Sequence, residues 1–222
     1  MHDTRRPSGS GDRYPGYDVL SKWSGPSWNE KTREVISHRL AIGPEPKFFT
    51  AEEFATVTAI AARIVPQPVT RPPVPVAALV DRKLNREIMD GYRVPGMPRD
   101  GEAWRVGLKA LDAEAIAAYG KRFSELAEPL QDVLLRRAEA GELKAPEWLT
   151  LRSEVFFKKR MAHDVVLAYY AHPTAWSEIG WGGPASPRGY VRLDYNERDP
   201  WEAAEAKQGD EESARRSNRH VR

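Results

Sequence analysis

The sequence predicts an all-α fold: a compact irregular helical bundle with an extended N-terminal arm and a long Gly/Pro/aromatic loop near its C-terminus. Two observations predict it. Apolar residues recur at helical spacing between helix start and stop signals over most of residues 27–171, and alternation of period two never lasts more than a few residues. There is no GxGxxG turn, no P-loop and no repeat unit.

Ser27-Trp28-Asn29-Glu30 has the form of a capping box and predicts a helix running to about Leu40, before Gly43-Pro44. Thr50-Ala51-Glu52-Glu53 repeats that start signal, and Phe54, Val57, Ala61 and Ile64 then form one stripe. Pro66 and Pro68 stop it, because proline lacks an amide and restricts the residue before it. Five prolines in 66–75 read as an extended connector. Pro75 suits the first turn of a helix reaching Asp90, with Val76, Leu79, Val80, Leu84 and Ile88 inward. Asp100 is the expected cap of a helix carrying Trp104, Leu108, Leu111 and Ile116 and ending near Gly120. The next spans Ser124 to Ala140, with Leu126, Leu130, Val133 and Leu134 inward, Pro129 in its early turns and Gly141 as terminator. The longest candidate is 147–171. Trp148, Leu151, Val155, Ala162, Val166 and Tyr169 share one side, and Phe157, Met161 and Ala168 lie opposite, which suits a central position in the bundle.

The chain has 222 residues, 41% hydrophobic and 30% charged, enough for one domain with arms. Its 34 basic and 32 acidic residues leave a net charge of +2, so no basic excess advertises nucleic acid. Lys158-Lys159-Arg160 reads as a solvated rim, and the tail cluster of Arg215, Arg216, Arg219 and Arg222 is offset by Asp210-Glu211-Glu212. The absence of cysteine excludes disulfides, thiolate nucleophiles, Fe–S clusters and Cys-ligated zinc. No apolar run is long enough to span a membrane. Arg5-Arg6 is followed by Pro7-Ser8-Gly9-Ser10-Gly11-Asp12, which lacks the apolar stretch of a twin-arginine signal, so a cytoplasmic location is the expectation. The expected organisation is a disordered arm at 1–16, an N-terminal segment at 17–47, a helical core at 48–205 and a disordered charged tail at 206–222. In the second segment Val19, Leu20, Trp23 and Trp28 are apolar and could serve a partner or their own bundle.

Residues 172–201 change character, with four glycines, four prolines and five aromatics. That aromatic content argues against disorder, and the Gly/Pro content suits a stiff, closely packed surface loop that docks on something. The string Tyr169-Tyr170-Ala171-His172-Pro173, followed by Glu178-Ile179-Gly180-Trp181-Gly182-Gly183-Pro184-Ala185-Ser186-Pro187-Arg188-Gly189-Tyr190, resembles the gluconate 2-dehydrogenase subunit 3 family. Phe49-Thr50-Ala51-Glu52-Glu53-Phe54, Ala61-Ala62-Arg63-Ile64-Val65-Pro66 and the stretch around Trp104 and Gly120 to Phe123 extend the likeness over about 48–201.

The resemblance implies an accessory, non-catalytic small subunit that binds and stabilises or matures a large flavoprotein dehydrogenase of the glucose–methanol–choline (GMC) class, acting on a sugar or alcohol. It implies FAD in that partner and no cofactor on this chain, with a cytochrome c subunit as a further candidate partner. Many such subunits carry a twin-arginine signal. This sequence departs from that pattern, so a periplasmic location would require a partner with its own signal.

Partner contacts are expected from Trp176, Glu178, Trp181, Gly182, Gly183, Arg188 and Tyr190 in the loop, and from Trp23 and Trp28 in the arm. Each has a plainer reading. The indoles could pin their own loop, Glu178 and Arg188 could brace each other, and Gly182-Gly183 could serve backbone shape. His163 and Asp164 are adjacent on a helix and diverge by about 100°, so they are not expected to form a ligand pair; His172-Pro173 is expected to end the long helix. Two readings from other classes remain: a small enzyme using Glu178, Arg188 and His172, and a flavin-unrelated helical adaptor.

Overall fold

A computed structural model describes residues 12–91, 94–186, 189, 199 and 202–220. The fold is all-α. In chain order the helices are α1 (Glu30–Leu40), α2 (Ala51–Ile64), α3 (Val76–Asn85), α4 (Asp100–Tyr119), α5 (Glu128–Ala140), α6 (Ser153–Phe156), α7 (Ala162–Tyr170), α8 (Pro173–Glu178) and α9 (Glu211–Asn218), with a π-helical turn at Phe157–Met161 between α6 and α7. Among the described residues the sole extended pairing is one parallel bridge between Trp28 and Ser186. The chain forms two compact units, Ile42–Tyr169 and the combination of Met1–Ala41 with Tyr170–Arg222. The described residues of the 172–201 loop fall in the same unit as the N-terminal segment.

The central unit follows the apolar stripes closely. Thr50 and Glu53 close a capping box on α2, while Gly120 and Gly141 end α4 and α5 in the left-handed region. Val57, Ile60, Val80, Trp104, Leu108, Leu111, Leu134 and Phe156 are buried. Edge-on aromatic contacts run from Phe49 to Trp104 (5.9 Å between ring centroids) and from Trp104 to Phe156 (5.4 Å). Phe156 packs so tightly on α4 that a Cβ at Gly107 would lie 2.3 Å from its ring. The carboxylate of Asp81 accepts the backbone amides of Lys47, Phe48 and Phe49 at 2.8, 3.0 and 2.9 Å, tying the entry to α2 onto α3.

Several expectations need correction. Asn29, not Ser27, caps α1 by accepting the Thr32 amide at 2.9 Å. Helix α3 ends at Asn85 because Glu87 takes φ of 52° and Ile88 N–H bonds back to Lys83 O, which leaves Ile88 exposed. Asp100 is the first residue of α4 and pairs with Arg160 instead of capping the helix. Helix α5 begins at Glu128, after a 3-10 turn at Phe123–Glu125, and Val133 and Ile116 are exposed.

The expected 147–171 helix is interrupted twice. Leu149 has φ of 53°, which no continuing helix allows, and the chain restarts only at Ser153. The π turn then inserts one residue and rotates the following face by about 100°. Arg160, Met161, Asp164 and Val165 therefore point inward and Val166 outward. Arg160 is accordingly buried and no part of a solvated rim.

The other unit has its own core of Tyr17, Val19, Trp28, Ile36, Trp176 and Ala203, with Tyr14, Leu20 and Trp23 against it. Its C-terminal part, expected to be disordered, contains α9. Asn218 is buried there, donating to Pro15 O and Ala204 O at 3.0 Å each and accepting from Ala204 N at 2.7 Å. Residues 12–16 are likewise ordered against it: Ala206 N bonds Arg13 O at 2.9 Å, and a Cβ at Gly16 would touch Arg215.

Candidate functional site: an aromatic surface around Trp176

His172 begins α8. Its ring nitrogen Nδ1 accepts the Thr174 amide at 3.3 Å, and Pro173 supplies the first helical residue, which needs no donor. His172 therefore caps the start of a short helix, where the negative end of the long one was expected. Burial, with the positive charge of Arg39 as a second cause, holds its pKa below the usual imidazole range. A buried neutral imidazole is what an acceptor at a helix N-terminus requires.

Helix α8 carries Trp176 into the core, 2% exposed, where its Nε1 donates to Tyr170 O at 2.6 Å. Ser177 Oγ accepts the Val19 amide at 3.1 Å, fixing α8 to the N-terminal segment. The chain beyond α8 turns back through Gly180 and Gly183, both left-handed with φ of 68°. The turn holds Trp181 edge-on to Trp176, with centroids 5.0 Å apart. A Cβ at Gly183 would lie 2.9 Å from the Trp176 ring and 3.4 Å from Trp28, and one at Gly180 would lie 2.5 Å from Tyr14. These two positions require glycine for both conformation and space. The Trp28–Ser186 bridge closes the loop through Asn29 N to Ser186 O at 2.9 Å and Ser186 N to Ser27 O at 2.8 Å.

The predicted contact residues separate by burial. Trp28 and Trp176 spend their rings on the unit's own core, and Gly182 and Gly183 are buried beside them. Trp23 is half-buried, edge-on to Trp28 at 5.7 Å. Glu178 is half-buried at the end of α8. Trp181 keeps 41% of its surface exposed next to Ile179 at 43%, and these two form the outer lip of the loop. Arg188 and Tyr190 lie outside the described residues. Arg39 on α1, which sequence reasoning missed, donates to Ala171 O at 2.9 Å and lies 5.8 Å above the Trp176 ring. Nothing in its one-dimensional spacing marks it, because these partners arrive from 132 or more positions away.

Lys22 was also missed. It is 1% exposed, its ammonium lies 5.1 Å from the Trp28 ring centroid, and burial, opposed by Asp199, pushes its pKa down to about 8.

In the central unit the ionisable groups form a second cluster. Asp164 accepts from Trp104 Nε1 at 2.7 Å and from Lys83 at 2.8 Å; Lys83 also meets Asp90 at 2.7 Å, and Arg160 bridges Asp90 and Asp100. His163 Nε2 is 3.5 Å from Asp90, so ligand atoms of Asp90, His163 and Asp164 come within 4.8 Å of one another. Adjacency on the helix did not keep His163 and Asp164 apart, because Asp90 arrives from another segment to join them. Lys83 and Arg160 already neutralise those carboxylates, which makes the arrangement a structural ion network. Its demands pull opposite ways: burial opposes the charge of Arg160, and the surrounding carboxylates outweigh it and hold the guanidinium pKa above its usual value.

No helix among the described residues is long and apolar enough to cross a membrane. No curated protein and no solved structure matches the chain. The sequence profile described as gluconate 2-dehydrogenase subunit 3 matches residues 51–183, a stretch that takes in the central helices, α8 and the glycine turn under Trp181, and on that match over more than half of its length the chain belongs to the gluconate 2-dehydrogenase subunit 3 family.

Proposed function

We propose that this chain is the non-catalytic small subunit of a flavin-dependent dehydrogenase complex, binding and stabilising a large FAD-bearing subunit of the GMC class that oxidises a sugar or alcohol. The observation that carries this reading is the family match over 51–183. The surface supports it: a stiff loop displays Trp181 and Ile179, with an interior of buried rings behind them. Aromatic anchors on rigid backing are the usual centre of a protein interface, because little side-chain entropy remains to be lost on docking.

A subunit that binds only the folded partner stabilises it by mass action, by an amount that grows with its concentration relative to Kd. FAD and the groups that act on substrate belong, in this reading, to the partner. The residues singled out for a stand-alone enzyme do not favour the rival: His172 is committed as a helix cap, and Glu178 closes the same helix.

The test is affinity purification of the tagged chain from its own host, with the eluate scanned for oxidised-flavin absorbance. A yellow eluate containing a larger flavoprotein is expected. A colourless, monodisperse chain from cells that express that flavoprotein contradicts the reading.

A further inference from the structure

Arg39 is a half-buried guanidinium with no carboxylate opposite it among the described residues. Among the described residues its partners are the Ala171 carbonyl and the face of Trp176, which leave most of its five donor hydrogens without an acceptor there. Burial lowers its pKa, as desolvation without a counter-charge should. Two guanidiniums of the central unit are treated differently. Arg63 holds Asp132 and Glu128, and Arg160 holds Asp90 and Asp100 with Asp164 at 3.7 Å. Arg33, earlier on the same helix as Arg39, is occupied by the carbonyls of Trp23 and Trp28.

Arg39 also borders a shallow groove of about 180 Å³ whose walls are Thr32, Val35, Ile36 and Pro184, with Lys31 at its edge. Val35 is 40% exposed one helical turn before Arg39. Among the described residues the one ion pair these two cations make is that of Lys31 with Glu34 at 2.6 Å. A positive, partly dry groove with an apolar wall suits an acidic side chain carried next to an apolar one.

We infer that this groove receives an Asp or Glu side chain of the large subunit, which pairs with Arg39 while its neighbouring residue packs on Val35 and Pro184. The inference rests on the accessory-subunit reading and locates one contact within it. Planar guanidinium donors match a carboxylate two bonds at a time, so Lys at this position would keep the charge and lose the fork.

The test measures the affinity of the purified chain for the flavin-bearing large subunit isolated from the host complex, at low and high salt. Arg39→Gln is expected to weaken binding at least tenfold and to flatten its salt dependence, with Arg39→Lys in between. Because Arg39 also covers Trp176, Val35→Glu serves as the second variant. It places a carboxylate one turn from Arg39, where it competes with the partner's, so it should lose affinity while its thermal midpoint is unchanged or raised. If both variants bind as tightly as the parent chain, the inference is overturned and the accessory reading stands. If the parent chain itself does not bind the large subunit, the reading falls and the inference with it.

Discussion

The indole Nε1–H of Trp104 donates a 2.7 Å hydrogen bond to Oδ2 of Asp164, a carboxylate with no exposed side-chain surface. The same carboxylate holds Lys83 at 2.8 Å, and Arg160 approaches it at 3.7 Å. Asp164→Asn keeps an acceptor for the indole but leaves two cations short of a counter-charge, so it should destabilise the chain by about 3 kcal/mol. Trp104→Phe removes only the neutral donor and the outer ring, and should cost less than Asp164→Ala. Urea unfolding checks both. An unchanged midpoint for Asp164→Asn would mean that Asp90 and Asp100 alone carry the cations.

Gly183→Ala forces an L side chain into a left-handed φ of 68° with its Cβ 2.9 Å from Trp176. Strain and overpacking together should cost about 2–4 kcal/mol. Trp176 must then shift, and its fluorescence should report a more solvated ring. Gly209→Ala has the same sign of φ, with nothing within 4 Å, and separates the conformational part from the steric part. Equal losses in the two variants would contradict the packing argument.

His172 gives the loop unit a defined response to acid. Its folded pKa lies below the ordinary value of 6.5, so the unfolded chain binds the extra proton first. The stabilisation is complete above 6.5 and is lost as pH falls from there through the lowered folded value. Protonation also turns Nδ1 from acceptor to donor and ends its bond to Thr174 N–H. His172→Asn keeps a cap acceptor without a titration, so the difference in stability between parent and variant should shrink in the parent's disfavour below pH 6.5. A pH-independent difference would contradict this role.

Much of the fold was legible because local signals and burial agreed. Thr50 and Glu53 form the capping box their spacing predicts, and Gly120 and Gly141 stop their helices. What the sequence did not show was the register of the 153–170 segment. The π turn at Phe157–Met161 has no composition signal, and it moves Arg160 inward and Val166 outward. Ser27-x-x-Glu30 has the capping form, but Ser27 is buried next to the Ser186 pairing, which leaves Asn29 to cap α1.

The loop's unusual composition was visible in the sequence, as was a backbone-shape reading of the Gly182-Gly183 pair; that position 183 in particular needs glycine came from its φ and its closeness to Trp176. Which indole would face outward was not visible, because a Trp reads alike as anchor or core. Only packing against Tyr17, Val19 and Ile36 sorts Trp28 and Trp176 inside and leaves Trp181 at the lip. Arg39 was invisible for the same reason, since Ala171 and Pro184 meet it through the fold alone.

The most direct test of the accessory role is the lifetime of the purified large subunit's dehydrogenase activity, measured with and without this chain. The account predicts a half-life that lengthens with the concentration of added chain and saturates, an effect weakened by Trp181→Ala, and no turnover by the chain alone. A half-life indifferent to the chain, or substrate oxidation by the chain without its partner, would contradict it.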